Sequence, residues 1–374
     1  MFLLFTPRAA GRLGVGALVV LPLDHGGTPP NDNERNRTPT NVPGAADSPK
    51  EGIMSTLTDR LDGLLFFPVT PFTADQRRVD LDAFAAHLES RLALLDPRRP
   101  GLSAVFAACG TGEFATLGQN EYSEVLRMAV QVTVGRVPVF GGVGYGSELA
   151  ASFTKVAEAA GVDGLLVLPP YLVAGSQQGL ADHYRTVAAA TDLDLIIYQR
   201  DNVTFAPETV AELAEVPNII GFKDGKGDLD LMQRIVSAVR LRHGADGFLF
   251  LNGLPTAEMT QLAYRAIGVP LYSSAVFCFA PDIALAFYHA LREGDAPLAE
   301  ALVDRFYKPL VELRNLGAGY AVSLVKNGVR LDGIDAGPVR APLTEPTPEH
   351  LAQLEKVIAA GREVLAEHKV GAAA

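Results

Sequence analysis

The sequence predicts an α/β protein, a (β/α)8 TIM barrel carrying a C-terminal helical appendage. Three observations lead there. From Thr56 onward, eight short apolar runs of β type alternate with amphipathic helical stretches, a pattern that makes the strands parallel and, at eight units, closes them into a barrel. Glycines and polar residues collect in the loops just after the runs. No G-x-G-x-x-G opens the first helix, which counts against the open doubly wound sheet that the same alternation would otherwise allow.

Taken in order, residues 1–55 differ from the rest. Met1 to Leu23 is apolar with Arg8 and Arg12, and Thr28 to Glu51 is rich in Pro, Asn, Asp and Gly, the composition of disorder. Basic residues before an apolar run suit a signal peptide, but no small-x-small cleavage site follows Leu23, and the run is too short to span a bilayer. The expectation is a disordered extension, with Met54-Ser55 a natural start for the folded part. The eight expected strands are Leu64–Val69, Ser103–Ala108, Val137–Phe140, Gly164–Leu168, Leu193–Tyr198, Ile219–Lys223, Phe248–Leu251 and Val269–Tyr272. Helical patterns fill the intervals: Asp80–Leu95, Gln119–Val134, Glu148–Ala160, Gln178–Thr191, Pro207–Ala214, Leu229–His243 and Thr256–Ala266. Asp80 and Asn120 stand where N-caps belong. After Pro281 the pattern is purely helical, over Ile283–Arg292, Pro297–Leu316, Gly319–Asn327 and Thr347–Glu367. Four prolines, Pro338, Pro342, Pro346 and Pro348, mark the loop before the last of these. The expected division is therefore an extension over 1–55, the barrel over 56–294, and C-terminal helices over 295–374 packed on it.

Composition narrows the function. The net charge of −11 argues against general nucleic-acid binding, and a local field can still hold an anionic substrate. Two cysteines, Cys109 and Cys278, make no disulfide framework, so a reducing compartment, the cytoplasm, is expected. The seven histidines show no metal-ligand spacing with cysteine or carboxylate, so no metal site is expected.

The stretch Ile219-Ile220-Gly221-Phe222-Lys223 ends an apolar strand in a lysine. Such a lysine is costly unless paired or chemically used. Burial lowers its pKa and makes the amine a nucleophile near neutral pH, able to form a Schiff base with a carbonyl substrate. A packed stem with a head snorkelling to water is the plain alternative. Of the chain's eight lysines only Lys223 ends an apolar strand, and Lys226 just beyond is its sole close competitor.

A barrel's active site lies at the carboxyl ends of its strands. After the second strand, Gly110 and Gly112 let backbone N–H groups approach a ligand and Thr111 adds a hydroxyl, a nest that suits a carboxylate. The same glycines also suit a plain turn before a helix. After the third strand, Gly141-Gly142-Val143-Gly144-Tyr145-Gly146 lacks the Lys-Ser/Thr of a phosphate loop. Tyr198 shares strand parity with Ile196 and is a candidate to face the barrel interior and move a proton, or to be core with a satisfied hydroxyl. Arg200 is a candidate carboxylate ligand. Asn202, Asn252, Ser273 and Ser274 are the remaining polar candidates at these ends.

Together, Gly110-Thr111-Gly112-Glu113-Phe114, Pro169-Pro170-Tyr171-Leu172, Tyr198-Gln199-Arg200-Asp201-Asn202, Phe222-Lys223-Asp224-Gly225-Lys226-Gly227-Asp228 and Tyr272-Ser273-Ser274 resemble the dihydrodipicolinate synthase / N-acetylneuraminate lyase family of Schiff-base barrels. The likeness runs from about Leu61 to at least Ala280. It implies that Lys223 forms the Schiff base, that Tyr198 is its partner, and that Cys109 to Glu113 binds a carboxylate. Three departures stand out. The family's usual double threonine is Gly110-Thr111 here, and the synthases' relay tyrosine and aldehyde-binding arginine fall on Leu172 and near Val203. They argue against dihydrodipicolinate synthesis. Within the family the likeness is greatest to a lyase that dehydrates and decarboxylates a six-carbon keto sugar diacid, with Arg200, Asn202, Asn252, Ser273 and Ser274 as candidates for the distal end. A pyruvate-dependent aldolase and a silent keto-acid-binding barrel are the alternatives. The resemblance implies no organic cofactor, because the iminium is its own electron sink, and a homotetramer.

Overall fold

Eight parallel strands close on themselves in sequence order. The computed structural model describes residues 56–244 and 246–373, so the extension expected over 1–55 lies outside the described residues. The strands are β1 Leu64–Phe66, β2 Leu102–Ala107, β3 Val139–Val143, β4 Gly164–Val167, β5 Asp194–Gln199, β6 Ile219–Asp224, β7 Leu249–Asn252 and β8 Leu271–Ser274. β1 closes the ring against β8, with Leu65 opposite Ser273. The predicted (β/α)8 barrel is the observed fold.

Strand periodicity sorts the side chains. Leu65, Ala104, Phe106, Phe140, Leu166, Ile196 and Leu251 fill the interior, while Leu64, Val105, Val139, Leu165, Leu195 and Ile197 face the helix layer. Inside, the rings of Phe67, Phe106 and Phe140 stack in series with centroids 4.5 Å apart. The Phe67 end of this column meets the polar end of β6.

Two strands lie further along the chain than the sequence pattern suggests. β3 runs through Gly141 and Gly142 instead of ending at Phe140. A Cβ on Gly142 would stand 2.4 Å from the Ala108 carbonyl oxygen, so the strand passes there only because glycine has no side chain. β8 starts at Leu271, two residues late, because Pro270 has no N–H for the ladder. Ser273 and Ser274 are consequently strand residues rather than loop residues.

Helix boundaries follow local chemistry. Asp80 caps Leu81–Leu92 as expected, its side chain accepting from Ala83 N at 3.0 Å. Asn120 is not a cap: the helix begins at Gln119, and Glu121 reaches back to the Gly118 N–H at 3.1 Å. The single helix expected over Pro297–Leu316 is three pieces, Ala296–Leu302, a wide π turn at Val303–Tyr307, and Lys308–Arg314. Pro309 offers no N–H to the carbonyl of Arg305, four residues back, and the helix resets there. Tyr320–Leu331 and Pro348–Ala373 complete the C-terminal layer. Among the described residues no helix is long and apolar enough to cross a membrane.

Candidate active site

A cavity of about 890 Å³ opens at the carboxyl ends of the strands, and Lys223 lies at its wall. β6 alternates, so Lys223 points inward between Tyr198 of β5 and Leu251 of β7, its register partners. The lysine is only 4% exposed. Its Nζ stands 3.9 Å from the Phe67 ring centroid and 4.6 Å from that of Tyr198. Among the described residues no carboxylate pairs with it. Desolvation pushes its pKa down from 10.5 to about 7; nearby Cys109 works against that shift and Arg200 adds to it. A large fraction of the amine is therefore neutral at physiological pH. The stem lies across Gly253, where a Cβ would stand 2.4 Å from Lys223 Cε.

Tyr198 donates its phenolic proton to the Gly253 carbonyl at 2.9 Å, and burial pushes its pKa up to about 12. It is a neutral donor beside the amine. The next residue of β6, Asp224, turns to the helix side. It accepts from Gln199 Nε2 at 2.7 Å, from the N–H of Lys226 at 2.9 Å and from the Tyr264 hydroxyl. These bonds fix the loop that follows Lys223. Lys226, the competing lysine, is spent on the Asp201 carbonyl at 2.8 Å on the surface.

The Gly110–Gly112 loop is built as an N–H nest. Ala108 and Glu113 on either side hold positive φ angles of 48° and 55°, and among the described residues none of the N–H groups of Gly110, Thr111 and Gly112 has a partner in the protein. Gly110 and Thr111 face the cavity; Gly112 is tucked behind, its carbonyl accepting from the Thr70 hydroxyl at 2.7 Å. Glu113 does not face substrate as a free acid. Its carboxylate is buried against Lys326 at 2.8 Å, from the C-terminal layer, and accepts the Arg340 N–H at 3.0 Å. Burial pulls Lys326 down to about 8 against the attraction of Glu113.

The remaining candidates divide. Arg200 lines the cavity near Gly110, where an added Cβ would stand 3.7 Å from Nη1, and pairs with Asp201 at 2.8 Å. Asn202 is at the rim, its amide donating to the Val173 carbonyl at 3.0 Å. Ser273 lines the cavity. Asn252 and Ser274 do not. Leu251 and Leu271 face inward, so Asn252, one residue on, and Ser274, an odd step away, face the helix layer. Asn252 donates to the Ala257 carbonyl and to Gln261 Oε1, both at 3.1 Å. Ser274 donates to Glu258 Oε1 at 2.6 Å. Both are scaffold. The sequence pattern did not single out Phe67, Gly253, Lys326 or Arg314, all at or against the cavity. Strand parity in β7 and β8 was a usable signal for Asn252 and Ser274; for the C-terminal residues no local signal exists.

Comparison with known proteins agrees with this geometry. The family model described as the dihydrodipicolinate synthetase family matches residues 60–361. A protein of Streptomyces griseus named a probable 5-dehydro-4-deoxyglucarate dehydratase is 58% identical over 82% of this chain and 93% of its own length. One of Streptomyces coelicolor with the same name, numbered 1, is 56% identical over 83% and 95%. Among solved structures, the 4-hydroxy-tetrahydrodipicolinate synthase of Methylacidiphilum fumariolicum SolV superposes with a TM-score of 0.70 at 28% identity, over 82% of this chain and 98% of that one.

Proposed function

The chain belongs to the dihydrodipicolinate synthetase family, and from that premise we propose that it is a decarboxylating hydro-lyase that converts 5-dehydro-4-deoxy-D-glucarate to 2,5-dioxopentanoate, CO2 and water through a Schiff base on Lys223. The observation that carries the reading is the pairing of a desolvated, acid-free Lys223 amine with an open N–H nest at Gly110–Thr111. The names of the relatives from Streptomyces supply the substrate.

The steps follow from the groups present. The nest takes the carboxylate next to the ketone. Lys223 Nζ attacks the ketone carbon, and water leaves to give an iminium. The positive nitrogen acidifies the neighbouring CH2. Loss of one of its protons gives an enamine, which expels the β-hydroxyl as a second water. The new double bond is conjugated to the iminium, so the C–C bond to the distal carboxylate can break, with its electron pair flowing to nitrogen and CO2 leaving. Protonation and hydrolysis then consume one water, restore Lys223 and free the dioxo acid, so one water is released net. Tyr198 O–H, or a water beside it, moves the protons. Its bond to the Gly253 carbonyl keeps that hydroxyl beside the lysine stem.

The test is borohydride trapping with the keto diacid, followed by peptide mass mapping, with CO2 measured in an unreduced parallel assay. A reduced adduct on Lys223 with CO2 release is the expected result. An adduct with pyruvate and no turnover of the diacid would move the assignment to an aldolase, and no adduct with any keto acid would leave a binding barrel. Two buried free cysteines support a cytoplasmic setting. The family resemblance supports a homotetramer, which sedimentation velocity checks.

A further inference from the structure

We propose that Arg314, from the helical tail, is the receptor for the distal carboxylate of the substrate. The inference rests on the keto diacid reading above and deepens it.

The charges around the cavity lead to it. Among the described residues, three cationic side chains line the cavity, Lys223, Arg200 and Arg314. Two acids line it, Asp201 and Glu113, and each already has a partner. Asp201 is held by Arg200 at 2.8 Å and Glu113 by Lys326 at 2.8 Å. Arg314 has no acidic partner among the described residues, although it is half-buried and desolvation lowers its pKa. The cavity thus keeps one uncompensated guanidinium in a protein whose net charge is −11. A charged group removed from water without a counter-ion is costly, and an anionic ligand supplies the missing charge.

Position selects which anion. Arg200 sits by Gly110, at the end of the cavity where the nest takes the carboxylate next to the ketone. That position leaves Arg200, one of several candidates for the distal end, nearer the other carboxylate. Arg314 ends the helix Lys308–Arg314 and reaches the loop that follows β7. Its Nη1 donates to the Pro255 carbonyl at 2.6 Å and to Thr256 Oγ1 at 3.0 Å. Pro255 is two residues from Gly253, the glycine against which the Lys223 stem lies. Two bonds to one loop fix the guanidinium. Among the described residues its Nε and Nη2 meet only the Asn315 amide oxygen, at 3.3 and 3.2 Å. That is a long, neutral and exposed partner on the fork that a carboxylate would take in bidentate fashion.

The assignment makes a kinetic demand. The distal carboxylate leaves as CO2, so its negative charge is delocalised away from Arg314 as the C–C bond breaks. The ion pair is strongest in the bound ground state and weakens toward the transition state. Removing it should raise KM and not lower kcat at the decarboxylation step.

The experiment compares two ligands in the full chain: the keto diacid, and the 2-keto-3-deoxy aldonic acid with a hydroxymethyl in place of the distal carboxylate. Half-saturating concentrations are read from borohydride trapping on Lys223. In Arg314→Gln the value for the diacid is expected to rise about 10- to 100-fold, the loss typical of one charge-assisted hydrogen bond or fork. The value for the monoacid should move less than about threefold, and Arg314→Lys should restore part of the difference. Asn315→Asp, an exposed change that leaves the anchor to Pro255 in place, puts a resident carboxylate on the same fork and should raise the diacid value as well. An equal loss toward both ligands in Arg314→Gln would assign Arg314 to holding the 253–256 loop and overturn the proposal. An unchanged preference in both variants would overturn it too. If the wild-type chain forms no adduct with either acid, the Schiff-base reading falls and takes this inference with it.

Discussion

Replacing Lys223 by methionine should abolish turnover and make the protein more stable, and the gain should depend on pH in a defined way. The buried amine has a folded-state pKa of about 7 against 10.5 when exposed. Each pKa unit is about 1.36 kcal/mol, so the 3.5-unit difference corresponds to a penalty of about 5 kcal/mol at pH 6 and below. Between pH 7 and 10.5 the unfolded chain holds this proton and the folded chain has lost it. The unfolded state then binds more protons, so wild-type stability rises with pH through this window. By pH 9 the remaining penalty is about 2 kcal/mol. Methionine carries no such cost and fills similar volume with apolar atoms. The faces of Phe67 and Tyr198 attract an ammonium and offset part of the penalty, so 5 kcal/mol is the upper end. The assay is urea unfolding of both proteins at pH 6 and pH 9, at one protein concentration, since any assembly would make stability concentration-dependent. A variant no more stable than wild type at pH 6, or a gain that fails to shrink by pH 9, would refute the argument that Lys223 is desolvated and without a counter-charge. The rate of adduct formation gives the companion result: it should fall about tenfold per pH unit well below pH 7, where the amine is protonated.

Tyr198→Phe removes the hydroxyl on the Gly253 carbonyl; turnover should fall about 100-fold or more, as for loss of a proton-transfer group, while borohydride trapping on Lys223 persists. Lys326→Met leaves the Glu113 carboxylate buried without its cation and should cost about 3–5 kcal/mol in urea unfolding. The companion double variant with Glu113→Gln should recover much of that loss, and the single variant should raise KM because Glu113 closes the nest. Asn252→Ala should cost about 1–3 kcal/mol from its lost buried hydrogen bonds and leave KM for the keto diacid within about threefold, because the side chain does not reach the cavity.

Where the sequence pattern succeeded and where it did not have the same physical origin. The barrel, and the burial of Lys223 at a strand end, are written in short-range periodicity. Alternating apolar runs fix which face of each strand is buried, and Lys223 is conspicuous because it breaks a buried run at the strand end that carries chemistry. The errors in β3 and β8 are equally local: Gly141 and Gly142 have low strand propensity, yet Gly142 is required for close passage by Ala108, and Pro270 delays pairing by its missing N–H. Asn252 and Ser274 fell on the wrong face because they were judged by residue type and not by parity with Leu251 and Leu271. Arg314 and Lys326 are a different case. They lie about 90 to 100 residues beyond Lys223 in an amphipathic tail, and a charged residue in such a helix reads as solvated surface. Only the packing of that tail over the barrel turns one into the counter-charge of Glu113 and the other into an unpaired cation at the cavity. The barrel supplies the amine and the nest that any keto acid of this chemistry needs. On the assignment proposed for Arg314, the tail would supply the group that distinguishes a diacid from a monoacid, so a change of substrate preference in this chain should be sought in the tail before the strands.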